Sequence, residues 1–209
     1  DDLRLLIMSA TLDSGPLLKL LQQDFPGEVP VLRSRGRTWP VETYYFPLPR
    51  TDMPMEAWVA DAVRRALREE DGSILVFLPG VGEIRKVEAL LQGVRSDTVH
   101  LCPLYGDLPA AEQDAAIASV QAPLRKIVLA TSIAETSLTI EGVRVVIDSG
   151  LARTVRFDAG TGMSRLVTER VSLASAEQRR GRAGRTGPGV CYRLWHQGDE
   201  AGMAAHIRP

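Results

Sequence analysis

Cysteine is nearly absent from this 209-residue chain. Cys102 and Cys191 stand far apart, with no CxxC pair or Cys/His cluster beside either. Buried free thiols are therefore expected rather than a disulfide framework or a zinc site, and no other metal-ligating cluster is read in the chain. Lysine is almost as scarce: Lys19, Lys86 and Lys126 are the lysines among 25 basic residues. Aromatic residues make up 5% of the chain, and Trp39, Trp58 and Trp195 are dispersed, which suits core or linker packing better than a base-stacking platform. His100, His196 and His206 show no HExxH or triad-like spacing and are read as surface or core histidines. Long hydrophobic runs are missing as well. The longest stretch without Asp, Glu, Lys or Arg, Gly72 to Gly82, falls far short of the ~20 residues of a membrane span. No basic, then apolar leader opens the sequence, so a cytoplasmic protein with no membrane partner is expected. The net charge of −1 gives no support to bulk electrostatic coating of nucleic acid.

What is present is an ordinary globular composition, 44% hydrophobic and 24% charged, which excludes collagen-like, mucin-like and largely disordered chains. The positive charge is unevenly placed. From Leu151 onward ten arginines face Asp158, Glu169, Glu177, Asp199 and Glu200. Short runs rich in Val, Ile and Leu alternate with segments of helical period, the pattern of a parallel sheet covered by helices. Strands are expected near Leu3–Met8, Val29–Leu32, Val41–Phe46, Ser73–Leu78, Thr98–Cys102, Lys126–Ala130, Arg144–Asp148 and Val190–Trp195. Helices are expected over Glu56–Glu70, Val81–Gln92 and Ala110–Val120. Thr154–Phe157 and Ser164–Thr168, joined by a glycine-containing turn, read as a β-hairpin protruding from these layers. Arg33–Pro40 combines charge, Gly and Pro without hydrophobic period and reads as a linker.

The sharpest motif is Gln178-Arg-Arg-Gly-Arg-Ala-Gly-Arg185, followed by the helix stop Thr186-Gly-Pro-Gly189. On a continuous helix Gln178, Arg182 and Arg185 would lie within about 60° of one another, placing one amide and two guanidinium groups on a single face. Guanidinium groups stay charged, bind phosphate oxygens bidentately and stabilise charge developing on a transferred γ-phosphoryl group, while an amide orients an attacking water. Gly181 and Gly184 mark positions of close backbone packing or ligand approach. The plainer reading is a solvated basic helix end paired with Glu177 and Glu169. Two glycines inside a helix, each costing about 1 kcal/mol relative to Ala, weigh against it.

The motif resembles motif VI of superfamily 2 helicases, and three further segments agree in order. Met8-Ser-Ala-Thr-Leu12 resembles motif III and Val76-Phe-Leu-Pro-Gly80 resembles motif IV. Ala130-Thr-Ser-Ile-Ala-Glu-Thr-Ser-Leu-Thr-Ile-Glu-Gly142 resembles motif V of the DEAH-box branch. The Leu104–Pro109 turn, the Asp148-Ser-Gly exit and the hairpin extend the likeness over nearly the whole chain. Within the branch, FLPGVGEI and AETSLTIEGVR are similar to the bacterial HrpB-type ATP-dependent helicases. Ser132 stands where the branch usually has Asn, and Glu141 where many members have Asp. Ala118–Leu124 lacks the aromatic residue on which some eukaryotic relatives stack adenine.

The resemblance implies an α/β, RecA-like parallel sheet with helices on both faces plus the protruding hairpin, preceded by a short remnant of another RecA-like domain. Residues 1–33 would be that remnant, 34–40 the linker and 41–209 the second RecA-like domain, the sequence being cut at both ends. ATP would lie between the domains. Arg182, Arg185 and Gln178 are implied as catalytic; Thr139, Glu141 and Gly142 as nucleotide-binding; Thr131, Ser132 and Gly106 as RNA-binding; and Ser9 and Thr11 as coupling residues. No Gly-x-x-x-x-Gly-Lys loop and no Asp-Glu-x-His or Asp-Glu-x-Asp box is present. The Mg2+ ligands are therefore expected in the first domain, a partner in cis, and the fragment alone is expected to be inactive. The other partner implied is single-stranded nucleic acid, RNA rather than DNA. Competing expectations are a non-catalytic binding or scaffolding module of the same fold, a DNA-directed helicase, and a stand-alone nucleotide phosphatase or kinase, the last disfavoured by the missing phosphate loop.

Overall fold

The computed structural model describes residues 7, 14–24, 29–32, 39–49, 52–136, 138, 140–158, 160 and 162–205. The chain divides into two compact units, Asp1–Arg37 and Thr38–Pro209. In the first, one helix is described, α1 (Ser14–Asp24). Val29–Leu32, expected as a strand, is not one: Pro30 removes a ladder donor from the middle of the run, and Leu32 is 93% exposed. Apart from Ile7, the Leu3–Met8 strand lies outside the described residues, as do Ser9, Thr11, Thr139 and His206.

The second unit is built on six parallel strands: β1 (Val41–Tyr45), β2 (Ser73–Phe77), β3 (Val99–Leu104), β4 (Arg125–Ala130), β5 (Val143–Asp148) and β8 (Gly189–Arg193). Their order across the sheet is β1-β8-β5-β2-β4-β3. Between them run α2 (Met55–Glu69), α3 (Val81–Leu90), α4 (Ala110–Ile117), α5 (Ile133–Thr136) and α6 (Leu173–Gly181), while β6 (Leu151–Asp158) and β7 (Met163–Arg170) form a separate antiparallel hairpin.

Strand β2 explains the layering. All five residues of its Ser-Ile-Leu-Val-Phe run are buried, as a central parallel strand covered on both faces requires. Ile74 and Val76 pack into one core with Val59 and Val63 of α2 and Ile84 and Val87 of α3. Leu75 and Phe77 point the other way, into a core with Ala116 of α4, Ala134 of α5 and Ala183. The expected helices on both faces are thus present. Strand β3 continues through Pro103, two residues beyond the expected end, because it is the sheet edge and a missing N–H there breaks no ladder bond on the open side.

Two cations set the height of β4 in the sheet. Arg125 donates to the carbonyls of Leu67 (3.1 Å), Glu70 (2.8 Å) and Gly72 (2.7 Å) around the end of α2. Lys126 is buried and donates to the carbonyls of Ala115, Ala116 and Ala118, satisfying the acceptors left over at the end of α4. Burial pulls its pKa down. The hairpin pairs Thr154 with Val167 and Arg156 with Arg165, and Gly162 takes φ +66° in its turn. At its root Arg153 donates to Glu83 of α3 at 3.1 Å. No helix among the described residues is long and apolar enough to cross a membrane.

Candidate functional site

Strands β2 and β4 are neighbours, yet the chain leaves their C-terminal ends toward opposite faces: β2 feeds α3 on one side, β4 feeds α5 on the other. Diverging connections of this kind open a crevice at the C-terminal edge of the sheet, where ligands bind in open α/β folds. Thr131 and Ser132 sit there. The Thr131 amide donates to Leu104 O (3.2 Å), which brings it beside the turn containing Gly106, and Ser132 is exposed. A Cβ on Gly106 would meet nothing within 4 Å, so its backbone is open to a ligand, and Gln113 Nε2 fixes the turn from behind by donating to Leu108 O at 2.8 Å. Across the crevice, a Cβ on Gly80 would lie 2.6 Å from Arg153 Nη1, so the glycine of Leu-Pro-Gly leaves room for the Arg153 side chain of the hairpin root.

The arginine motif differs from the sequence expectation. Helix α6 is capped by Ser172, whose Oγ accepts from the Ser175 amide (3.1 Å), and it ends at Gly181. Arg182 is the C-cap residue, and residues 182–187 form turns. Gln178, Arg182 and Arg185 therefore do not share one continuous helical face: the helix breaks at the glycine before the wheel is complete. Nor are both glycines in close contact. A Cβ on Gly184 would lie 2.6 Å from Trp39 O and 2.7 Å from Val41 Cγ2, whereas one on Gly181 would meet nothing within 4 Å.

Arg182 is buried and donates through Nη1 to Leu138 O at 2.5 Å. Burial, reinforced by the nearby charge of Arg185, pulls its pKa down to about 10. It remains a cation at neutral pH, held where a positive charge is poorly solvated and an anion would relieve it. Residues 131–142 link the two regions. They leave the sheet edge at Thr131, pass Arg182 at Leu138 and reach Gly142, whose φ of +75° turns the chain into β5. The Gly142 carbonyl accepts from Ser73 N (3.0 Å), at the opposite edge of the sheet from Thr131, and Glu141 beside it is exposed.

The residue that sequence reasoning passed over is Arg179. It is fully buried and paired with Glu135 Oε1 (2.6 Å) and Asp148 Oδ1 (2.8 Å). Its guanidinium lies 4.8 Å from the centre of the Phe77 ring. Burial alone would lower its pKa, but Asp148 and Glu135 outweigh that and raise it. The signal was in the spacing: Ser172, Ser175, Ala176 and Arg179 recur at i, i+3, i+4 and i+7, and the three small ones mark the inward face.

Of the pairings expected for a merely solvated helix end, Arg180 with Glu177 is present at 2.8 Å, but Glu169 belongs to the hairpin, where it pairs with Arg156 at 2.5 Å. Arg165 is exposed. Trp58 stacks on Phe46 and Trp195 is buried against Gly150, both packing roles. Cys191 is buried and Cys102 half-buried, both as free thiols.

Residues 58–187, from α2 to just beyond Arg185, match the family described as the helicase conserved C-terminal domain. The chain belongs to that family. This helicase domain is 50% identical over 209 residues to the ATP-dependent RNA helicase HrpB of Escherichia coli strain K12, covering 100% of the chain and 25% of HrpB. It is 38% identical over 202 residues to the ATP-dependent RNA helicase HrpA of the same organism, covering 95% of the chain and 15% of HrpA. The crystal structure of the Escherichia coli DEAH/RHA helicase HrpB matches with a TM-score of 0.89 at 50% identity, over 100% of this chain and 26% of that one. The helicase domain thus has the RecA-like α/β fold and spans about a quarter of HrpB.

Proposed function

We propose that this chain is the second RecA-like unit of an ATP-dependent RNA helicase, acting in the cytoplasm as part of a longer polypeptide. Residues 1–33 are the tail of the first RecA-like domain, 34–40 the linker and 41–209 the second domain. The observation that carries the reading is the Arg182–Leu138 hydrogen bond. It ties the buried cation to the same stretch of chain that begins at Thr131.

In this reading Thr131, Ser132 and the Gly106 backbone bind RNA phosphates and hold a single strand in register without reading its sequence. Thr139, Glu141 and Gly142 bind the nucleotide, and Ser9 and Thr11 couple the two ligands. Arg182 and Arg185 stabilise the charge that builds on the γ-phosphoryl oxygens, and Gln178 orients the attacking water. Lysine would serve less well at the arginine positions, because it offers a point charge instead of a planar fork. Among the described residues no group of His, Cys, Asp and Glu is arranged to hold a metal ion. In this reading Mg2+ would be held by residues of the first RecA-like domain, where it would neutralise phosphate charge, while Arg182 and Arg185 would supply positive charge from the second.

The test is ATP turnover by the full-length protein with and without single-stranded RNA, beside the 209-residue chain alone. Turnover stimulated by RNA in the full-length protein, stimulated less by DNA and absent from the fragment, is expected. Turnover by the fragment, or none by the intact protein, would overturn the reading.

A further inference from the structure

Arg179 lies between Gln178 and the Arg182 turn, wholly shielded from solvent, and touches neither of the surfaces assigned to ligands. Its fork gathers separate parts of the fold. Nε donates to Glu135 Oε1 (2.7 Å), on the short helix that directly follows Thr131 and Ser132. Nη1 donates to Asp148 Oδ1 (2.8 Å) at the end of β5 and to Leu151 O (3.2 Å), the first residue of the hairpin. Glu135 is in turn fixed by Ser175 Oγ, which donates to its other oxygen at 2.8 Å and so adds a second bond between α5 and α6.

A buried ion network is weak evidence for stability, since well-packed apolar side chains of similar volume often do as well or better. What it adds is geometry. The guanidinium fork reaches both carboxylates at once, through Glu135 Oε1 and Asp148 Oδ1, and each charge left behind would be costly if the fork were displaced. Helix α5 therefore cannot shift relative to α6 or to the hairpin root without moving Arg179, and α6 carries Gln178 and leads directly into Arg182.

Resting on the helicase reading above, we infer that Arg179 is a positioning residue: with Glu135 and Asp148 it transmits nucleic-acid contact at Thr131 and Ser132 to the Arg182 turn, so that RNA binding raises ATP turnover. It contacts neither ligand. Its removal should lower the stimulation and leave the unstimulated reaction in place. Its removal should also reduce any change in RNA affinity caused by a non-hydrolysable ATP analogue and, because coupling between binding sites is reciprocal, the change in the analogue's affinity caused by RNA.

The experiment uses the full-length protein as wild type, Arg179→Lys and Glu135→Gln. The first variant keeps the charge and loses the fork; the second keeps the shape of the side chain and removes one charge of the pair. Basal turnover and the affinity for single-stranded RNA without nucleotide should stay within about twofold of wild type, while turnover at saturating RNA falls by about two- to thirtyfold, the span of a coupling network's usual contribution. The effect of the ATP analogue on RNA affinity should shrink as well, and the effect of RNA on the analogue's affinity by the same factor. A parallel fall in basal and stimulated turnover would show that the network merely supports the fold and would overturn the inference, as would wild-type stimulation in both variants. If Arg179→Lys does not fold, Glu135→Gln decides alone by the same criteria. Absence of RNA stimulation in the wild type would overturn the helicase reading, and this inference with it, which separates the two failures.

Discussion

The Arg182 guanidinium is held against Leu138 by a 2.5 Å hydrogen bond to the main-chain carbonyl, so a cation of the arginine motif rests on the segment that begins at the C-terminal edge of the sheet. The bond also explains how Arg182 stays in place past the end of α6: an outside acceptor holds the side chain where the helix no longer dictates its direction.

The break in that helix makes the two glycines of the motif unequal. Gly184→Ala should destabilise the chain by about 1–3 kcal/mol, because the added methyl would meet Trp39 O and Val41 Cγ2 inside normal contact distance, and a backbone oxygen has little freedom to retreat. Gly181→Ala should be neutral or stabilise by up to about 1 kcal/mol, since its Cβ points into open space on the last helical residue. Urea denaturation of both variants checks this. Equal effects, or the reverse order, would contradict the packing described.

Acid should weaken the second unit partly through Glu177. Burial works to raise its pKa, but hydrogen bonds from Arg193 and Arg180 outweigh burial and leave it lowered. A carboxylate whose folded pKa is depressed stabilises the fold above the unfolded value of about 4.3 and loses that contribution as the pH falls through the folded pKa. Glu177→Gln should therefore cost stability at about pH 7 and show a shallower loss on acidification below about pH 4.3. Thermal midpoints of both proteins across that range make the comparison, and superimposable acid limbs would exclude Glu177 as a contributor.

Much of this architecture is legible in the chain. The short apolar runs Ile74–Leu78 and Ile127–Ala130, rich in Val, Ile and Leu, read as buried strands, and the glycine turn between Phe157 and Ser164 announces the hairpin. Val29–Leu32 misleads because its hydrophobicity matches a strand while Pro30 denies it a ladder. The helical wheel drawn through Arg185 assumes that α6 continues past Gly181, and the stop that matters is Gly181 itself rather than Gly187-Pro-Gly189. The spacing with Ser172, Ser175 and Ala176 places Arg179 on the inward face, but its partners Glu135 and Asp148 lie 44 and 31 residues away, and local pattern does not reveal them.

At the sheet edge, Thr131→Ala in the full-length protein should weaken single-stranded RNA binding and RNA stimulation more than basal ATP affinity. Thr131 lies beside the Gly106 turn and at the far end of the sheet from Gly142. Affinities need to be compared at one ionic strength, because phosphate contacts release counterions and depend steeply on salt. Unchanged RNA affinity at matched salt would remove Thr131 from the RNA surface.

The central claim is that Arg182 and Arg185 act on the transition state of ATP hydrolysis, and the most direct measurement is the ATP turnover number beside the ATP dissociation constant for full-length wild type, Arg182→Ala and Arg185→Ala. A guanidinium that meets the γ-phosphoryl group most tightly as charge builds there lowers the barrier more than it strengthens ground-state binding. Arginines in this role contribute roughly 10³–10⁵ in rate, so turnover should fall far beyond tenfold while nucleotide affinity changes little, and Arg182→Lys should not restore it. Wild-type turnover in both alanine variants, or a loss confined to nucleotide affinity, would contradict the account.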